Sequence, residues 1–213
     1  MLTHEQKYEI YCPRLTVKEI RPAIWRRVLV RSDITLARLH LVIQVLMGWY
    51  DYHLYQFRID NAVHGPPRED DADYGYRESV RISLAAVFRK QPRTISYEYD
   101  FGDGWEIEIS REKTYPAETQ ISKAVCVAGA RHGPMEDSGG PHGYQQVLRI
   151  LKNPRHQEYT QTKQWIGYRF DAERFEVEST NELLEELDRQ KGNPRVLKVF
   201  WDMRFTPGRS WPS

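Results

Sequence analysis

The chain has little cysteine, no long apolar run and almost no net charge, and each shortage excludes something. Cys12 and Cys126 are its two cysteines and form no CxxC spacing, so a disulfide framework is not expected and both read as free thiols. No stretch reaches the length of a membrane span. The opening Met-Leu-Thr-His-Glu-Gln-Lys lacks the apolar stretch of a signal peptide, so a cytoplasmic location and no membrane partner are expected. Twelve prolines in 213 residues make no low-complexity tract, and no internal repeat is present. GxSxG is missing, so Ser138, although near Asp137 and His142, does not sit on a nucleophile elbow.

What is present is a chain long enough for one sizeable core, with 40% hydrophobic and 29% charged residues. The net charge of +1 conceals segregation: residues 14–31 carry six basic side chains against Glu19, and residues 189–213 carry six against Asp202. Between them, residues 171–188 carry eight acids against Arg174. Such blocks describe a solvated surface with attraction between patches, or a face for a polyanion.

Periodicity predicts an α+β chain with a mainly antiparallel sheet and helices packed on one side. Leu15 and Val17 begin one strand; Ile24, Val28 and Val30 alternate with Trp25, Arg27, Leu29 and Arg31 in a second. Asp33 or Thr35 can cap a helix carrying Leu36, Leu39, His40, Ile43, Leu46 and Met47, with Gly48 as its stop. His53, Tyr55, Phe57 and Ile59 alternate as a third strand, and residues 65–76 read as an exposed loop. Ile95, Tyr97 and Tyr99, then Trp105, Ile107 and Ile109, predict a hairpin turning at Phe101–Gly104 with Glu106 and Glu108 outward. Helices are expected through Tyr144, Val147, Leu148 and Leu151, from about Arg155 to Ile166, and after a Ser179/Glu182 capping box. Leu197–Phe205 alternates again, as a strand or a docking segment.

Two glycine- and acid-rich segments, Tyr99–Trp105 and Gly133–Tyr144, lie where regular elements must turn. Asp100, Asp103, Trp105, Glu136, Asp137 and Tyr144 form the candidate ligand or turn cluster, with carboxylates either building a site or capping their own turns. A metal could draw on Asp100, Asp103, Cys126, His132, Glu136, Asp137 and His142, but Cys126, His132 and His142 have no recognisable zinc spacing. His40 and His53 read as hydrogen-bonded core histidines, and Trp49, Tyr55, Tyr97, Tyr99 and Trp105 as core aromatics before pocket walls.

The motifs Pro22–Arg27, Thr35–His40, Ile43–Trp49, His53-Leu54, Tyr99–Asp103, Glu136-Asp137, Gly139-Gly140 and Gly143-Tyr144 together resemble the plasmid pRiA4b ORF-3-like family. The resemblance runs from about Tyr8 to Leu187 and implies an α+β fold and a link to mobile DNA, since members are often labelled insertion-element passengers or resolvases. Residues 1–192 are accordingly expected to form the domain and residues 193–213 a basic, aromatic tail. A recombinase is not expected: no serine precedes Ser32 and no His-x-x-Arg pair occurs. Relatives commonly carry histidine at the Ile107 position, cysteine at Gly133 and Ser138, and proline at Met135, so neither metal nor cofactor is expected here. With the link to mobile DNA, the expected role is a non-enzymatic accessory protein acting on a protein or nucleic acid, and the charge of the tail makes Arg195, Lys198, Arg204 and Arg209 the candidate nucleic-acid contacts. The alternative is a metal-assisted hydrolase using Asp103 and Glu136/Asp137.

Overall fold

The computed structural model describes residues 8–67, 76–89, 94–116, 121, 123–167 and 170–191. Eight strands form one open sheet: β1 (Ile10–Val17), β2 (Trp25–Arg31), β3 (Tyr55–Ile59), β4 (Ala62–Gly65), β5 (Tyr76–Glu78), β6 (Thr94–Tyr99), β7 (Trp105–Tyr115) and β8 (Val125–Ala130). Their order is β5-β4-β3-β6-β7-β1-β2-β8, and every pairing is antiparallel except β4 with β5. The helices are α1 (Leu36–Met47), α2 (Leu84–Arg89), α3 (Gly140–Leu151), α4 (Tyr159–Ile166) and α5 (Val177–Arg189). The fold is therefore single-domain α+β.

Alternation decides which face of the sheet is buried. Trp105, Ile107 and Ile109 are fully buried while Glu106 and Glu108 point outward, because only that register removes the apolar set from water. Glu98 and Glu106 lie directly opposite each other, and the repulsion is relieved by Arg58 and Lys18, each 2.6 Å from its acid. On the other face, α1 packs Leu36, Leu39, Val42, Ile43 and Leu46 into the core. Thr35 caps it through Arg38 N–H at 3.2 Å, and Gly48, at φ 79°, closes it onto the Gln44 carbonyl.

Several expectations need correction. The last two helices are shorter or differently capped: α4 begins at Tyr159, and α5 begins at Val177, so Ser179 and Glu182 lie within it and form no capping box. Of the expected loop 65–76, only the end residues Gly65 and Tyr76 belong to strands, β4 and β5, and residues 68–75 lie outside the described residues. The third strand starts at Tyr55, leaving His53 half-buried outside it. Arg26 shares the buried face of β2 with Val28 and Val30 and is 1% exposed. The expected Leu197–Phe205 strand and the tail contacts Arg195, Lys198, Arg204 and Arg209 lie outside the described residues.

Candidate functional site

The two glycine-rich segments are built against each other. Asp103 accepts the Gly139 N–H at 3.1 Å, and a Cβ on Gly140 would come within 2.1 Å of the Asp103 carbonyl oxygen. Gly133 is tighter still, since a Cβ there would lie 1.8 Å from the Met47 carbonyl oxygen. Between these close approaches, Trp49 donates its indole N–H to the Pro134 carbonyl at 2.8 Å. Trp105 and Tyr144 are fully buried and meet edge to face at 6.2 Å, with Trp49 on the other side of Trp105 at 6.1 Å. They form the floor of the site and are packing residues.

The carboxylates divide by role. Asp100 is buried and accepts the amides of Gly102 and Asp103 at 3.1 and 3.3 Å, so one oxygen caps its own turn as the sequence suggested. Asp103 instead ties its hairpin to the second segment. Glu136 is buried, accepts the Tyr50 N–H at 2.9 Å and takes the hydroxyl of Tyr99. Desolvation, opposed by those hydrogen bonds, pushes the Glu136 carboxyl up to about 7. Desolvation and the neighbouring Glu136 hold the Tyr99 hydroxyl far above the usual tyrosine range. Asp137 has 70% of its side chain exposed.

The second oxygen of Asp100 joins a group that sequence reasoning did not assemble. His53 Nε2 lies 3.5 Å from Asp100 Oδ2 and 3.3 Å from Asp137 Oδ1. It makes no geometrically sound hydrogen bond to a described residue. One ligand atom from each of His53, Asp100 and Asp137 falls within 4.8 Å of the other two. Asp100 and Asp137 both hold φ at 56°, a left-handed backbone that aspartate adopts more readily than most residues other than glycine. The backbone aligns the group: the Asp100 N–H donates to the Leu54 carbonyl at 3.0 Å, and the Tyr52 and His53 amides donate to the Tyr99 hydroxyl at 3.0 and 3.4 Å. His53 was read as a core histidine because the alternation of β3 extends back to it. The signal available in the sequence was its position two residues before the strand, beside the exposed Tyr52 and Leu54.

His40, by contrast, is the core histidine expected. Its Nε2–H donates to Asp51 at 2.7 Å and its Nδ1 accepts the Tyr97 hydroxyl at 2.8 Å. Gln44 completes the network, donating to Tyr97 at 3.0 Å and accepting the Asp51 amide at 2.9 Å.

The basic segment 14–31 is spent internally. Lys18, Arg27 and Arg31 pair with Glu106, Glu112 and Asp33, each at 2.6 Å, Arg14 stacks on Trp25, and Arg26 is buried. Among the described residues, no helix is long and apolar enough to cross a membrane.

Comparisons with known proteins agree with the arrangement. The chain is 39% identical over 155 residues to the uncharacterized protein y4hQ of Sinorhizobium fredii, covering 72% of this chain and 79% of that one. It also superposes on the crystal structure of MM3350, a protein of unknown function from Methanosarcina mazei Go1, with a TM-score of 0.75 and 34% identity. That match covers 81% of this chain and 97% of the other. The model of the plasmid pRiA4b ORF-3-like proteins matches residues 9–179, which contain both glycine-rich segments and the whole sheet, and the chain belongs to that family.

Proposed function

We propose that this protein binds a divalent transition metal through His53, Asp100 and Asp137 and uses it to activate water for hydrolysis. The observation that carries the reading is the convergence of three ligand atoms, from three separate segments, within 4.8 Å. One imidazole with two carboxylates is a nitrogen–oxygen set suited to zinc, manganese or iron(II), in contrast to the all-oxygen shells of calcium and magnesium. Three protein ligands leave a position for water, the pattern of catalytic rather than structural zinc. His53, Asp100 and Asp137 would hold the ion, and zinc bound there would supply a coordinated water acidic enough to act as a nucleophile near neutral pH. The exposure of Asp137 would leave an ion held there accessible to substrate.

This reading sets aside the expectation of a metal-free chain, which rested on Ile107, Gly133 and Ser138, none of them among the three ligands. It keeps Asp137 from the hydrolase alternative and replaces Asp103, whose carboxylate is taken by Gly139 N–H, with Asp100 and His53. The competing reading of the same geometry is a set of direct polar contacts between His53 and the two carboxylates with no ion between them. Titration of chelator-stripped protein with Zn(II) and Mn(II) in a calorimeter separates the two. One ion per chain is expected, with affinity reduced roughly 100-fold or more by His53→Ala or Asp137→Asn, since even outer groups are worth 10–100-fold. Absence of binding removes the reading. Binding without metal-dependent cleavage of nitrophenyl phosphate or nitrophenyl acetate removes its hydrolytic half.

A further inference from the structure

We infer that the cleft between the end of α1, residues 170–176 and α5 is a separate ligand site for the carboxylate of a small organic acid with an apolar body, with Arg26 as the countercharge. The cleft measures about 260 Å³, near the small end of ligand pockets, which run from roughly 300 Å³ upward. Its apolar walls come from Val45, Leu46, Met47, Phe170 and Leu183, and polar groups of His132, Asp171, Arg174, Glu176 and Thr180 share the lining. Arg26 lines it, though the residue is 1% exposed.

Arg26 is held without being neutralised. Its Nε donates to the Leu46 carbonyl at 2.9 Å, and Nη1 donates to the carbonyls of Trp25 and Ala130 at 2.8 and 2.9 Å. Nη2 has no hydrogen bond to a described residue, and no described carboxylate forms a salt bridge with the group. The Leu46 carbonyl, at the negative end of α1, supplies only a fraction of a countercharge. Phe175 covers one face of the guanidinium at 3.7 Å. Carbonyls and a ring satisfy donors and a surface, but a whole buried cation calls for an anion. Burial accordingly depresses the Arg26 guanidinium to about 9, opposed by Cys126 and Tyr144 and with no carboxylate among its causes.

The other charged groups at the cleft are already engaged. Arg174 pairs with Glu176 at 2.5 Å, and Asp171 accepts the Glu173 amide at 2.9 Å. One free guanidinium edge beside Val45, Leu46, Met47, Phe170 and Leu183 matches a monoanion attached to hydrocarbon. A fully hydrated phosphate would leave most of its oxygens without donors there.

The test uses the full chain with benzoate, hexanoate and inorganic phosphate as probes, by thermal shift and calorimetry, after chelator treatment so that carboxylate binding to a metal at His53 cannot contribute. Benzoate or hexanoate at millimolar concentration is expected to raise the melting temperature and to titrate one site per chain, with phosphate giving no comparable shift. Leu183→Trp, which fills the cleft from α5 and leaves Arg26 in place, should weaken binding at least tenfold. A benzoate-soaked crystal should place the carboxylate on Arg26 Nη2. Absence of a shift, equal effects of benzoate and phosphate, unchanged binding by Leu183→Trp, or benzoate located elsewhere would each overturn the assignment. Because the metal is removed, none of these outcomes bears on the hydrolase reading.

Discussion

His40 carries the most direct pH consequence of any residue in the core. Burial pulls its pKa below the ordinary 6.5, although the Asp51 hydrogen bond and charge oppose the shift. A depressed folded value means that the unfolded chain takes up the proton more readily. Stability from this group is therefore complete above about 6.5 and is lost as pH falls through the lower folded value. Urea midpoints measured from pH 8 to pH 5 should fall with acid, and His40→Gln should flatten that slope; an identical slope would assign the acid sensitivity elsewhere. Trp105 should behave as a large buried aromatic, with Trp105→Ala destabilising by roughly 3–5 kcal/mol in the same assay. Its burial followed from period-two spacing alone, as did the outward Glu106 and Glu108. His53 was misread because alternation assigns a face and says nothing about where a strand begins.

At the level of elements, the close approach of the two glycine-rich segments can be separated from the conformational demand of glycine itself. Gly104 and Gly140 share φ of 67°, but a Cβ on Gly104 would meet nothing within 4 Å, whereas one on Gly140 would lie 2.1 Å from a carbonyl oxygen. Gly104→Ala should therefore cost only the left-handed backbone term, roughly 1–2 kcal/mol. Gly140→Ala should cost more and, by parting the segments, weaken metal binding at Asp137 as well. Equal melting temperatures for the two variants would show that the segments are not locked together. The helix α1 with its Thr35 and Gly48 caps and the central hairpin were legible because each carries its own local signal. β4, β5 and β8 were not: the first two are four and three residues long, and β8, with Ala128, Gly129 and Ala130, has too few large side chains to alternate. Those strands exist because neighbouring strands offer unpaired edges, information that no short window of sequence contains. The proposed ligand group failed to appear for the same reason, since His53, Asp100 and Asp137 come from three separate segments that only the fold brings together.

For the molecule as a whole, charge lies in blocks along the chain but in pairs across the surface. The outer face of the sheet is laced by Lys18–Glu106, Arg27–Glu112 and Arg58–Glu98, and Arg38 and Lys123 pair with the acidic α5 through Asp188 and Glu185. Exposed pairs of this kind add little stability each, but they cancel the field that would draw a polyanion to the folded body. We propose that any affinity for nucleic acid comes chiefly from the basic side chains beyond the described residues, Arg195, Lys198, Arg204 and Arg209 among them. Phosphate contacts made by such residues release counterions, so binding should be indifferent to sequence and should fall steeply with salt. We expect fluorescence anisotropy of the full chain with labelled duplex and single-stranded DNA to show weak binding at low salt that disappears near physiological salt. Replacing the four tail residues by glutamate should abolish it, while Lys18→Glu should change it little because that lysine already faces Glu106. Full binding by the four-residue variant would place the contact on the folded body and contradict the cancellation of its charges; no binding by the full chain at low salt would remove nucleic acid as a partner and leave the metal site as the chain's means of acting on another molecule.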